Sequence, residues 1–207
     1  MSLHLDRPAA GFALLALALA GCAGAAGEGH SSAGKPAAPA ASAVPGRVFP
    51  PLAAAAPASW PRLTLPDRTA VLAYPPSMHP VAGDKDAVSA ARRDPAGAYL
   101  LYLNATPRQG AESLRGWAAF RLGLLRSDDA ASARQDAAAT GVSFRGGTGS
   151  CVLDDYITKT GVHHYREIAC LVQGRTGASV IVAAAPAAQW AQAGPLLEQA
   201  VAAYQVR

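Results

Sequence analysis

The segment CVLDDYITKTGVHHYREIACLV, residues 151–172, decides the fold of this chain. Its two halves, Cys151–Thr158 and His163–Val172, are rich in β-branched and aromatic residues and flank a turn centred on Thr160-Gly161. Such a pattern predicts an antiparallel β-hairpin. In the register set by this turn, Cys151 lies opposite Cys170 and the large aliphatic residues share one face.

The same register predicts how the charged and aromatic residues of the hairpin pair. A four-residue turn, Lys159–Val162, makes the two cysteines a non-hydrogen-bonded pair, whose closer α-carbons suit a disulfide. Asp154 then lies opposite Glu167, and we expect these two like charges to face solvent. The other pairs are Leu153 with Ile168, Asp155 with Arg166 as an ion pair, and Tyr156 with Tyr165.

Two helices are predicted between the first strands and the hairpin. Glu112–Arg126 repeats large apolar residues every three or four positions, which indicates an amphipathic helix with Arg115 and Arg126 away from its apolar stripe. Ala130–Thr140 predicts a second helix of small residues, which ends at Gly141.

The remaining pattern completes an α+β fold, an antiparallel sheet packed against helices. A last helix carries Trp190 and Leu197 on one face, with Pro195 either near its start or at a kink. The predicted strands outside the hairpin are Arg62–Leu65, Thr69–Tyr74, Val88–Ala91, Ala98–Leu103, which ends before Asn104–Pro107, and Ala178–Ala185.

The N-terminus predicts export and a lipid anchor. The apolar run Gly11–Ala20 is too short to cross a membrane, which needs about 20 residues, but it suits a signal-peptide core. It ends in Leu19-Ala20-Gly21-Cys22, which resembles the lipobox of bacterial lipoproteins. That resemblance implies removal of residues 1–21 and attachment of diacylglycerol and a palmitate-type chain to Cys22. An ordinary secretory signal that contains a cysteine is the alternative.

The three cysteines fit this interpretation. Lipidation of Cys22 leaves Cys151 and Cys170 as an even pair, and export favours their oxidation. A reactive thiol or metal pair is the alternative, although the chain has no CxxC motif.

Between the anchor and the folded part, residues 22–59 consist largely of Ala, Gly, Pro and Ser, which predicts a disordered linker. Packing of Arg47–Leu52 on the domain as an extra strand is the alternative. Residues 60–207 predict one domain of ordinary size. The net charge of +4 is scattered, so no nucleic-acid track is indicated.

No pattern of catalytic or metal-binding residues emerges from the sequence. His163 and His164 would point to opposite faces of a strand, and so would Asp154 and Asp155. Gly146–Ser150 lacks the lysine and helix of a phosphate-binding loop. We therefore predict no catalytic residue, metal or cofactor. Four aromatic residues could line a groove for an apolar ligand: Tyr99, Tyr102, Trp117 and Trp190.

Two end motifs carry a family resemblance. Leu72-Ala-Tyr-Pro-Pro76, and Val180–Pro186 followed by Trp190 and the last helix, resemble the Mog1/PsbP-like fold of small actinobacterial lipoproteins of the LpqN type. The resemblance implies an α/β/α sandwich and a role in binding a partner protein, a lipid or an envelope component. It transfers no functional residue.

The sequence therefore favours a non-enzymatic binding module, anchored to the extracytoplasmic face of the cell membrane, with an envelope protein or lipid as partner. A cell-envelope enzyme with a site assembled from His79, Asp84 or His163 is the alternative. A structural envelope spacer is the third interpretation.

Overall fold

The structure is a computed structural model that describes residues 52–207. The predicted signal peptide, Cys22 and the linker up to residue 51 lie outside the described residues. Within the described part, no helix combines the length and apolar character needed to span a bilayer. Ten antiparallel strands form a small sheet of order β1-β2-β10 and a seven-stranded sheet of order β3-β4-β5-β9-β8-β7-β6.

The strands are β1 Arg62–Thr64, β2 Ala70–Ala73, β3 His79–Val81, β4 Val88–Arg93, β5 Tyr99–Pro107, β6 Ala130–Phe144, β7 Gly147–Thr158, β8 His164–Gly174, β9 Ala178–Pro186 and β10 Gln205–Val206. Helix α1, Trp117–Leu124, continues into a π-helical turn, Leu125–Asp129. Helix α2, Trp190–Ala202, follows a short 3-10 turn.

The predicted hairpin register is confirmed. Cys151 pairs with Cys170, and all predicted cross-strand partners between β7 and β8 lie opposite each other. The Thr158 N–H donates to the His163 carbonyl, which closes the four-residue turn. The cysteines form a disulfide with their α-carbons 4.1 Å apart, as expected for a non-hydrogen-bonded pair.

The predicted helix Ala130–Thr140 is wrong, because these residues form most of strand β6. The alanine-rich sequence favours a helix locally, but β6 pairs with β7 along its whole length, and this tertiary pairing outweighs the local preference. Gly141 has φ +77° beside a β-bulge instead of ending a helix.

Other elements differ from the prediction at their ends. Helix α1 starts five residues after Glu112, and β5 continues through Asn104–Pro107, which were expected to end it. Pro195 lies inside α2. Leu52, assigned to the linker, packs in the main core, and the Ala53 N–H donates to the Ala202 carbonyl.

The glycines of Gly146–Ser150 allow a close backbone approach. A Cβ atom on Gly146 would overlap the Val206 carbonyl, and one on Gly147 would overlap the Gln173 carbonyl. The segment is therefore the place where β10 crosses the start of β7.

The two faces of the large sheet are covered differently. We call the face that carries Cys151 and Cys170 the inner face; α2 packs on it and closes the main hydrophobic core. We call the opposite face the outer face. Helix α1 packs there against β6, β7 and β8, at the end of the sheet remote from β3.

Candidate functional site

A buried group of charged and polar side chains lies beneath α1 on the outer face. Arg121, on the covered side of the helix, donates two hydrogen bonds to Oε1 of Glu167, from Nε at 2.8 Å and from the guanidinium terminus at 2.5 Å. The side chains of this ion pair are 4% and 1% exposed. Such a pair is held by direct charge-assisted hydrogen bonds and is shielded from water.

A second carboxyl group faces the same pair from the neighbouring strand. Asp154 lies directly opposite Glu167 and is fully buried. Gln135 of β6 donates to its Oδ1 at 3.1 Å. Among the described residues, Oδ2 of Asp154 and Oε2 of Glu167 have no hydrogen-bond partner. We call Arg121, Gln135, Asp154, Tyr156 and Glu167 the acid cluster.

The acid cluster has two carboxyl groups and one guanidinium, and this imbalance shifts its proton affinities. Burial and then the charge of Glu167 raise the pKa of Asp154 to about 7, although Gln135 and Arg121 act in the opposite direction. Burial and the charge of Glu167 also raise the pKa of Tyr156 well above its ordinary value. Near neutral pH the cluster can therefore bind and release one proton at Asp154.

The expectation that Asp154 and Glu167 face solvent is wrong, because α1 covers this part of the outer face. The expected ion pair between Asp155 and Arg166 is also wrong. Asp155 instead lies 2.7 Å from Nε2 of His164, while Arg166 reaches Asp136 on β6 at 2.9 Å.

One sequence signal could have revealed the acid cluster. Arg121 lies four residues after Trp117 and four before Leu125, and within residues 117–128 these three positions are the buried ones. An arginine on the buried stripe of a helix requires a buried acidic partner. Phe120, one of the large apolar residues of the predicted helix, is instead 37% exposed.

The four aromatic residues predicted to line a groove lie in three places. The rings of Tyr99 and Tyr102 meet edge to face at 5.3 Å. Trp117 is buried under α1, where its indole N–H donates to the Ala169 carbonyl at 2.9 Å. Trp190 packs beside the main core on α2. Only the two tyrosines come together, and their role in ligand binding stays a prediction.

These two tyrosines belong to a mixed polar and aromatic patch on β4 and β5. Asn104 donates to the Ser89 hydroxyl at 2.9 Å, and that hydroxyl lies 3.4 Å from the Tyr102 hydroxyl. The Arg93 guanidinium lies 4.3 Å from the Tyr99 ring centre. We call Ser89, Arg93, Tyr99, Tyr102 and Asn104 the tyrosine patch. Burial raises the pKa of Tyr102, and the Ser89 hydroxyl partly offsets this shift.

The residues of the alternative enzyme site do not converge. His79 lies on the edge strand β3, and His163 lies at the β7–β8 turn, with three strands between β3 and β8. At about 4.8 Å per strand, the sheet separates them by roughly 19 Å. Within residues 52–207, no three His, Cys, Asp or Glu side chains are grouped as metal ligands. An open cleft of about 290 Å³ lies elsewhere, between Asp67, Asp86 and Arg108.

Comparison with known proteins identifies the fold. No protein-family model matches the chain, and no curated protein is similar to it in sequence. The solution structure of cyanobacterial PsbP from Synechocystis sp. PCC 6803 superposes with a TM-score of 0.50 at 14% identity, over 73% of this chain and 95% of that chain. The chain has a PsbP-like fold. The predicted α+β class is thereby confirmed.

Two further solved structures are similar at lower TM-scores. LpqN, described as involved in cell envelope biogenesis of Mycobacterium tuberculosis, gives a TM-score of 0.46 at 11% identity, over 71% of this chain and 90% of that chain. A protein of Bacteroides thetaiotaomicron gives 0.43 at 17% identity, over 70% of this chain but 48% of that chain. The chain thus spans about half of the latter protein. A PsbP-like fold by itself assigns no function.

Proposed function

We propose that this chain is a non-catalytic binding module, held at the extracytoplasmic face of the cell membrane by lipidated Cys22, and that it captures an envelope partner through the tyrosine patch. The patch is the observation that carries the proposal. Its accessible members are Arg93, Tyr102 and Asn104, whereas Tyr99 and Ser89 are buried and support them through ring and hydroxyl contacts. Aromatic and arginine side chains of this kind dominate the binding energy of protein interfaces.

The position of the patch supports this function. Helix α1 packs on β6, β7 and β8, whereas Tyr102 and Asn104 of β5 remain partly exposed on the same sheet face. The Ser89–Asn104 hydrogen bond fixes the polar groups before a partner arrives, so little side-chain entropy is lost on binding.

A binding role fits the acid cluster better than catalysis does. The carboxyl group with the shifted pKa, Asp154, is fully buried beneath α1 and therefore closed to a reactant in this conformation. An envelope enzyme would have to expose it during turnover. A structural spacer would have no use for the tyrosine patch.

Site-specific photocrosslinking in cells tests the proposed surface. A benzophenone amino acid replaces Tyr102 in one variant and Val162, which is 75% exposed at the hairpin turn, in the control. We expect a discrete crosslinked product from position 102 and none from position 162. Equal products from both positions, or none from position 102, would contradict the binding surface.

The anchor is tested separately. In a Cys22→Ser variant we expect loss of the lipid mass and recovery of the chain outside the membrane fraction, while the wild-type chain stays in that fraction. Membrane retention of the variant, or an unmodified wild-type Cys22 in mass spectrometry, would refute the anchor and leave the tyrosine patch to be judged on its own.

A further inference from the structure

The acid cluster lies beneath a helix that has little stability of its own. Helix α1 has eight residues and no side-chain cap at its N-terminus, and an isolated helix of that length is marginal in water. It continues into a single π-helical turn, an arrangement that is rare in proteins and frequent at functional sites. We call α1 with this turn the lid. Its position therefore depends on what lies beneath it.

Several polar contacts hold the lid, and two of them lie near its C-terminal end: Arg126 donates to the Ala133 carbonyl at 3.3 Å and Lys159 donates to the Ser127 carbonyl at 2.5 Å. The Trp117 indole N–H binds the Ala169 carbonyl, Arg121 binds Glu167, and Gln135 donates to the Ala118 carbonyl at 3.3 Å. The ion pair is the strongest of these, because it is charged and screened from water. Asp154 lies in the same buried space as this ion pair.

The charge of this space depends on one proton. With Asp154 neutral, the +1 charge of Arg121 balances the −1 charge of Glu167. Asp154 and Glu167 face each other directly, and each has one oxygen without a donor. A proton on Asp154 removes one of the two negative charges from this space. Loss of that proton leaves a net negative charge in a dry site, which is strongly unfavourable unless water enters.

The other groups around Asp154 do not supply the missing positive charge. Gln135 is neutral, Asp136 is acidic and already binds Arg134 and Arg166, and Tyr156 is an uncharged phenol. On the lid side, Arg121 directs both of its hydrogen bonds to Glu167. Among the described residues, hydration through movement of the lid is the available way to accommodate an ionised Asp154.

We propose that the lid is a proton-dependent closure: one proton held by Asp154 keeps it shut, and release of that proton opens it. Opening uncovers the apolar surface under Trp117, formed by Val152, Ala169 and Leu171. The device does not depend on the tyrosine patch or on the anchor.

The sign of the pH dependence follows from the proton affinities. Asp154 has an ordinary carboxyl pKa near 4 in the hydrated open state and about 7 in the closed state. The closed state therefore holds a proton that the open state has released at intermediate pH. The open-to-closed ratio rises about tenfold per pH unit between these two values and becomes constant above the higher one.

Hydrogen–deuterium exchange of the full chain in mild detergent, between pH 5 and 8.5 and corrected for intrinsic rates, measures this ratio. We expect residues 117–128 to lose protection about tenfold per pH unit up to neutral pH and then to level off. Residues 178–186 of β9 open only with the whole fold, so they should stay more strongly protected than the lid at every pH. Asp154→Asn, a neutral isostere, should keep the lid protected at every pH, whereas Asp155→Asn on the adjacent exposed position should behave as wild type.

Three results would overturn the proposal. One is protection of residues 117–128 that does not change with pH in the wild-type chain. This measurement does not depend on the folding of any variant. Another is an unchanged pH slope in Asp154→Asn. The third is equal protection of residues 117–128 and of β9 at every pH, because the lid would then open only together with the whole fold.

Discussion

Each face of the large sheet packs against one helix, but the groups buried beneath the two helices differ in chemistry. The inner face joins β7 and β8 through the buried Cys151–Cys170 disulfide and fills the space under α2 with aliphatic side chains. On the same two strands, the outer face buries Asp154 and Glu167 under α1. The core under α2 depends on apolar burial and a covalent bond, neither of which changes with pH, whereas the contacts under α1 depend on charges and a proton.

This difference shows that one hairpin can have one rigid face and one face that responds to pH. Alternate residues of a strand point to opposite faces, so Leu153 and Asp154 experience unrelated environments. The inner side fixes the register through the cysteines and the main core. That rigidity holds Asp154 opposite Glu167, although two like charges directly opposite each other on paired strands are destabilising.

Removing the cation from the outer face should have the largest effect. Arg121→Met keeps much of the side-chain volume but leaves Glu167 buried without its partner, and we expect a loss of about 3–5 kcal/mol in the free energy of unfolding. Urea denaturation at pH 7.5 measures it. Arg126→Met, at an exposed position of the lid, should change stability by less than about 0.5 kcal/mol. A similar loss in both variants would mean that the ion pair has no special role.

The pH profile of stability should show the next largest effect. The pKa of Asp154 is raised from about 4 in the unfolded chain to about 7 in the folded chain. The stabilisation is therefore complete below pH 4 and is lost as pH rises to 7, at about 1.4 kcal/mol per pH unit and about 4 kcal/mol in all. The difference between wild type and Asp154→Asn in urea titrations across this range should follow that line. A constant difference would rule out the shifted pKa.

Removing the disulfide should weaken the inner face without changing its insensitivity to pH. The double variant Cys151→Ala, Cys170→Ala releases a loop of about 20 residues in the unfolded chain, which lowers stability by about 3 kcal/mol. Thermal denaturation at pH 5 and pH 8 should give the same loss at both values. A loss that varies with pH would show that the two faces are coupled and would break the comparison.

The smallest effect is expected at the tyrosine patch, which stabilises neither face. Tyr102→Phe removes the hydroxyl of a partly exposed side chain, which lies 3.4 Å from the Ser89 hydroxyl. We expect a change below about 1 kcal/mol in thermal denaturation, together with a weaker crosslink to the envelope partner from a probe placed at Thr106. A large loss of stability would assign the tyrosine to folding instead of binding.

The features that could be predicted from the sequence are those that depend on residues close together in the chain. The strand period and the turn at Thr160-Gly161 fix the pairing of Cys151 with Cys170, because the two strands are adjacent in the chain. Ala130–Thr140 was assigned wrongly, since its partner β7 selects the strand against the local preference of alanine.

The acid cluster could not be predicted in the same way. Its members come from α1, β6, β7 and β8, and burial of Asp154 depends on a helix 30 residues earlier in the chain. Only the position of Arg121 between Trp117 and Leu125 pointed to it. The predicted anchor at Cys22, in contrast, depends on a short motif that needs no tertiary context.

The central claim is that Asp154 holds a proton on the outer face near neutral pH. Carboxyl-carbon NMR of the chain labelled at aspartate, titrated from pH 3 to 9, tests it directly. We expect one resonance, absent in Asp154→Asn, to titrate with a pKa of about 7 while ordinary aspartates titrate near 4. If the resonance lost in the variant titrates near 4 with the others, Asp154 is charged at neutral pH and the account of the lid is wrong.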